Sequence, residues 1–239
     1  MVKAIKATNS KAKIIYYKLD LGDLSSIKEF AGRVSDSCEQ ADMLINNAGL
    51  STMTRRETKD GFEMTMGVNH FGHAYLTHLL MPKLKKAACF RVINVSSKAH
   101  MGIKSTADFD MDDIDYKLTP FATFKAYSKS KSANILFTSE LQRRIDAAGT
   151  NGIVVSLHPG TVRTEIFDHI KWWQELLLKW VLWPVWWIYF KTSWEGAQTT
   201  LHTALEADDK LQKGCYYDEC AVGKIRTFSR DLKNAAKLW

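Results

Sequence analysis

Short, nearly continuous apolar runs recur along this chain, each separated from the next by a segment with helical periodicity. That alternation limits the folds open to it. "ADMLINNAG" (41–49), "CFRVINVSS" (89–97) and "GIVVSLHPG" (152–160) read as strands that end in turn residues. "KIIYYKLDL" (13–21) reads as a further strand, rich in the β-branched and aromatic residues that strands favour. Asp23 is placed to cap a helix in which Ile27, Phe30, Ala31 and Val34 make an apolar stripe. "DGFEMTMGVNHFGHAYLTHLLMPKL" (60–84) reads as a long helix with Pro82 in its last turns. Strands that are apolar throughout, rather than alternating, are covered on both faces. The expected architecture is therefore α/β, a doubly wound parallel sheet within one domain spanning residues 1–239.

In such sheets ligands gather at the carboxyl ends of the strands. Asp20, "NNAG" (46–49), Ser96 and Ser97, and "HPGTVRT" (158–164) all fall there. A helix after the third of these sites carries Tyr127 four residues before Lys131, so the two side chains share one face. A free tyrosine has a pKa of about 10, too high for a base near neutrality. A neighbouring ammonium favours the phenolate, and Lys131 is placed to lower Tyr127 in this way. A hydroxyl such as Ser97 could hold a substrate oxygen beside them. Taken alone, the pair has a second meaning, two solvated polar groups on an exposed helix face. His70 and His158 read as packing or hydrogen-bonding residues with no catalytic role.

A chain of 239 residues with 46% hydrophobic and 25% charged residues has room for one sizeable core. The net charge of +7 is spread without a dense basic block, which argues against nucleic acid as a partner. Cys38, Cys89, Cys215 and Cys220 are scattered and form no CxxC pair, which argues against a zinc site and fits a reducing, intracellular compartment. Asn94-Val95-Ser96 satisfies the glycosylation pattern but lies inside an expected buried strand. "MVKAIKATNSKAK" at the start lacks the apolar stretch of a signal peptide.

These residues together resemble the short-chain dehydrogenase/reductases, a Rossmann-type family. "YSKSK" (Tyr127 to Lys131) matches the family's YxxxK, "NNAG" its fourth-strand motif, and "VINVSSKAH" places Ser97 as the catalytic serine. "GVNHFGH" supplies Asn69, the helix asparagine of the family's proton relay. The resemblance implies catalytic roles for Asn69, Ser97, Tyr127 and Lys131. It also implies cofactor contacts from Asp20, Leu21, Asn47, Ala48, Gly49, Lys131, Pro159, Gly160, Val162 and Thr164. "AYSKSKSANILFTSELQRRI" and "EGAQTTLHTAL" narrow the likeness to the retinol dehydrogenase branch, and it runs from about Tyr17 onward. That branch implies NADP(H), with NAD(H) second, and a retinoid or lipid-derived alcohol or aldehyde as substrate. A homodimer is one oligomeric state the family offers.

Two segments set further expectations. "KWWQELLLKWVLWPVWWIYF" (171–190) holds six of the eight tryptophans, interrupted by Lys179 and Pro184. A span needs about 20 predominantly apolar residues, so this segment reads as an element in the membrane interface that also lines the substrate pocket. Peripheral association with an endoplasmic reticulum or mitochondrial membrane surface follows. The thirteen glycines include no G-x-G pair, so the family's TGxxxGxG turn is absent and two βα units are expected to be missing before residue 13. The strand at 41–46 should then be an open sheet edge. The alternative function is a non-catalytic membrane-associated or interaction protein that has lost cofactor binding.

Overall fold

The computed structural model describes residues 2–161 and 191–239. Val162, Thr164 and the tryptophan-rich run lie outside the described residues. The sheet has β1 (Met43–Asn46), β2 (Phe90–Val95), β3 (Gly152–His158), β4 (Tyr216–Asp218) and β5 (Ala221–Val222) in that spatial order. The first four are parallel neighbours, and β5 folds back antiparallel on β4. Ile45 pairs Ile93, and Asn94 pairs Ser156, so polar and apolar rows cross the sheet in register.

Helices cover both faces, as the uninterrupted apolar strands require. On one face Phe90, Val92 and Val154 meet α2 (Leu24–Ser37), α4 (Gly72–Leu84) and α6 (Thr123–Ala147) through Ile27, Leu76, Leu80, Leu84, Leu141 and Ile145. On the other, Ile93, Val95, Val155 and Leu157 pack with Leu211 and Tyr217, under α7 (Ser193–Leu205). Gly152 has no side chain because the Phe90 ring of the next strand lies over it; a Cβ there would stand 2.4 Å from the ring.

Asp23 caps α2 as its position predicts, accepting from the Ser25 and Ser26 amides. The 60–84 segment begins its helix only at α3 (Met64–Met66), because Asp60-Gly61 forms a turn with Gly61 at φ +84°. A π-helical turn, Gly67–Phe71, joins α3 to α4. The remaining helices are α1 (Val2–Thr8), α5 (Thr106–Phe109), α8 (Thr227–Arg230) and α9 (Leu232–Leu238), with a 3-10 turn at Lys98–Gly102.

The 13–21 segment is not a strand. It is irregular and has no ladder partner among the described residues, with Ile15 and Tyr16 exposed, while Leu19 and Leu21 rest on the core and Tyr17 meets Phe30 edge-on. β propensity needs a neighbouring strand to take up the backbone donors and acceptors, and among the described residues none lies beside it. The expected open edge is present. Among the described residues β1 pairs only with β2, and Ile45 is 42% exposed.

A polar ladder crosses the buried helix-sheet interface. Asn46 Nδ2 donates to Asn94 Oδ1 (2.8 Å) and Thr77 Oγ1 (3.0 Å), and Asn94 Nδ2 donates to Thr138 Oγ1 (2.9 Å). Asn94 is 2% exposed, so its glycosylation pattern is inaccessible in the fold. Replacing Asn94 by Ala takes one buried partner each from Asn46 and Thr138, leaving Asn46 with Thr77 and Thr138 with the Asn134 carbonyl. We expect a loss of about 1–3 kcal/mol in unfolding free energy, read by urea denaturation.

Candidate active site

The site is built on α6. Its 25 residues contain no glycine or proline, and Gly149, at φ +62°, follows its C-terminus. Every residue from Ser128 to Thr138 is buried, so the exposed-face meaning of Tyr127 and Lys131 does not hold. Lys131 is 3% exposed. Its Nζ donates to the Val95 carbonyl at the end of β2 (3.0 Å) and lies 5.6 Å from the Tyr127 ring centroid. Gly49 roofs it: a Cβ on Gly49 would come 3.3 Å from both Lys131 Nζ and Asn69 Oδ1.

Asn69 sits in the π-helical turn and is fully buried. Single π turns of this kind often mark functional sites, because the added residue re-aims the side chains that follow. Its Oδ1 accepts from the Leu50 amide (2.8 Å), and its Nδ2 donates to the Leu50 carbonyl (2.9 Å) and to Ser130 Oγ (3.0 Å). This locks the 47–50 loop over the lysine. Ser97 opens the 3-10 turn, accepting from the Ala99 amide (3.2 Å), and its side chain hydrogen-bonds the Tyr127 phenol. Ser96, one residue earlier, is buried and donates to the Lys131 carbonyl (2.6 Å).

Electrostatics correct one expectation. Tyr127 is not lowered by Lys131. Burial pushes its phenol above the ordinary value, and the Ser97 hydrogen bond opposes that only in part. Burial also pulls Lys131 down to about 8, with no charged side chain among the described residues offsetting it. The desolvation of a phenolate here outweighs the attraction of an ammonium that is itself weakly held.

Gly49, Asn69, Ser97, Tyr127 and Lys131 thus converge on one point, and Asn47 and Ala48 are exposed on the loop above it. Asp20 and Leu21 form a turn docked on the helix start, where a Cβ on Gly72 would meet the Leu21 carbonyl at 2.5 Å. Pro159 and Gly160 leave the end of β3, with Gly160 at φ +91° beneath the Lys191 side chain, which pairs with Glu219 (2.6 Å). No hydrogen bond or ion pair joins these two groups to Tyr127 among the described residues.

Ser130, which anchors Asn69, and Asn134, one turn beyond Lys131 on the same helix side, belong to the site although no sequence motif marks them. His70, expected from the sequence to be a packing or hydrogen-bonding residue, is buried, and so is His73 one turn on.

The short chain dehydrogenase family model matches residues 1–107. Human retinol dehydrogenase 11 is 37% identical over 243 residues, covering 100% of this chain and 71% of its own length. The chain belongs to the short-chain dehydrogenase/reductase family, in its retinol dehydrogenase-like branch. Human retinol dehydrogenase 14 is 40% identical and is matched over 95% of this chain and 65% of its own length. Among solved short-chain folds, an uncharacterized Mycobacterium Paratuberculosis protein superposes with a TM-score of 0.73 at 32% identity, covering 99% of this chain and 77% of that one. NADPH bound carbonyl reductase from chicken fatty liver shares the fold, with a TM-score of 0.63, 22% identity and coverage of 93% and 81%. The chain is by family an oxidoreductase.

Burial holds His70, His73 and His158 at about 4, against 6.5 for the free side chain. Between those values the unfolded chain binds protons that the folded chain refuses. Stability is complete above 6.5 and falls as pH drops toward 4. We expect the melting temperature to decline across that window, and His70→Gln to flatten the decline.

Proposed function

We propose that this chain carries the active site of an NADP(H)-dependent enzyme that interconverts lipophilic alcohols and aldehydes, retinoids among them. The observation that carries the reading is the buried Lys131 ammonium, held between the Val95 carbonyl, Gly49 and the Tyr127 ring. The human relatives named retinol dehydrogenases support the substrate class.

The residues present fit the nicotinamide end of a dinucleotide. Gly49 leaves a space over Lys131 and Asn69 that a methyl group would crowd. Asn47, Ala48, Gly49, Lys131, Pro159 and Gly160 are the proposed holders, with Asp20 and Leu21 toward the adenine. When bound, NADP(H) supplies or takes the hydride.

The protein's own part is proton handling. Ser97 and Tyr127 hydrogen-bond a substrate carbonyl oxygen. A phenol raised by burial stays protonated near neutrality, which suits donation to that oxygen during reduction. Lys131, near 8, then returns a proton to Tyr127, and Asn69 keeps the loop above it closed. The tryptophan-rich run is proposed to seat the substrate entrance at a membrane interface, where amphipathic rings and flanking lysines are stable. No helix among the described residues is long and apolar enough to cross a membrane.

Tyr127→Phe tests the assignment in a protein that turns over retinal with NADPH. We expect the rate to fall by roughly 10²–10⁴, with cofactor affinity changed no more than a few-fold. Lys131→Met should weaken both. Near-normal turnover in the phenylalanine variant would remove Tyr127 from the mechanism.

A further inference from the structure

The Val95 carbonyl, on which Lys131 depends, has a second donor. Asn134 Nδ2 reaches the same oxygen at 3.3 Å, beside Lys131 Nζ at 3.0 Å. Behind it, Asn134 Oδ1 lies 3.2 Å from His70 Nδ1. Lys131, Asn134 and His70 are each at least nine-tenths buried, at 3%, 4% and 4% exposed. Their arrangement is therefore set by the protein and not by solvent.

We infer that His70 and Asn134 are positioning residues, a clamp that fixes the Val95 carbonyl on Lys131 and limits how firmly that carbonyl holds the lysine proton. This deepens the reading of Lys131 as a working part of the site.

The chemistry of the three groups allows one arrangement. A carbonyl only accepts, so Asn134 turns its NH₂ to Val95 and its oxygen to His70. His70 must then carry its proton on Nδ1. Burial keeps the ring neutral near pH 7, which leaves one N–H for that bond. The π-helical turn places His70 there, one residue after Asn69, so a single backbone distortion serves both flanks of the lysine. Because Asn134 takes one of that oxygen's two lone pairs and draws on its electron density, the ammonium meets a weaker acceptor than an unshared carbonyl.

Among the described residues, the other titratable groups facing Lys131 are Tyr127 on its own helix and His73 on α4, whose ring bonds the Asn69 carbonyl at 3.1 Å. Burial accounts for the lysine's shift, with no carboxylate among the described residues contributing. Removing Asn134's donor gives the carbonyl wholly to the ammonium. Removing His70's donor lets the amide turn its oxygen toward the ammonium. Both changes favour the charged lysine.

The test follows Lys131 itself, without turnover, so its failure and a failure of the proposed reaction are told apart. The full chain is labelled at lysine Cε with ¹³C, and Lys131→Met identifies the resonance. Titration should give a midpoint near the wild-type value of about 8 for His70→Gln, whose amide N–H can still reach Asn134. Asn134→Val and His70→Phe should both move the midpoint up by about one unit or more. Asn134→Ser, which lacks the amide, gives the same reading if the valine variant does not fold. Unchanged midpoints in the folded Asn134 variant and in His70→Phe overturn the proposal. So does a shift in His70→Gln as large as in His70→Phe, which would mark a packing effect instead of a hydrogen bond.

Discussion

A lysine ammonium buried at a helix-sheet interface is the constraint around which this site is organised. Taking that charge out of water is costly, and among the described residues the Val95 carbonyl is the hydrogen-bond acceptor that meets it. The strand end must therefore present a free carbonyl at that point, and the helix must lie close enough for a four-carbon stem to reach it. Gly49 must lack a side chain, since even a methyl group would press on Nζ. The weak hold on the proton, seen in the depressed lysine, is what makes the group useful in proton transfer near neutrality.

The second constraint is the π-helical turn. An unbroken α-helix through Gly67–Phe71 would carry Asn69, His70 and His73 on a different rotation. With the turn in place all three are buried, Asn69 meeting Ser130 of α6 and the Leu50 loop, and His70 meeting Asn134 of α6. Gly67 and Gly72 bracket it, and each is pressed by a neighbour: a Cβ would come 2.5 Å from Thr58 Cγ2 at the first and 2.5 Å from the Leu21 carbonyl at the second. The distortion is thus fixed from outside the helix, by loops that belong to other parts of the chain.

The sheet contributes direction. Parallel strands bring the ends of β1, β2 and β3 to one edge, which is why Gly49, Ser97 and Gly160 belong to a common rim. The polar ladder of Asn46, Asn94 and Thr138 crosses below that rim and ties α6 to the sheet at a depth where slippage would leave amides unpaired. Among the described residues the outer side of β1 has no ladder partner, and Ile45 is exposed there.

The sequence by itself determined the strand-helix alternation, the parallel sheet with both faces covered, and the residue types at its ends. Apolar runs and turn residues are local properties, so Met43–Asn46, Phe90–Val95 and Gly152–His158 were legible within a few residues. The Tyr127–Lys131 spacing was legible too. What pattern could not supply was environment. Local propensity marked 13–21 as a strand, yet a strand exists only through a neighbour's hydrogen bonds. Spacing put an ammonium near a phenol and suggested a lowered tyrosine, but the sign was set by burial, a sum over loops distant in sequence. The π turn, the Leu50 clasp on Asn69 and the shared Val95 carbonyl were likewise decided only in three dimensions. They join residues up to 64 positions apart, as in His70 with Asn134, and no local pattern records such a contact.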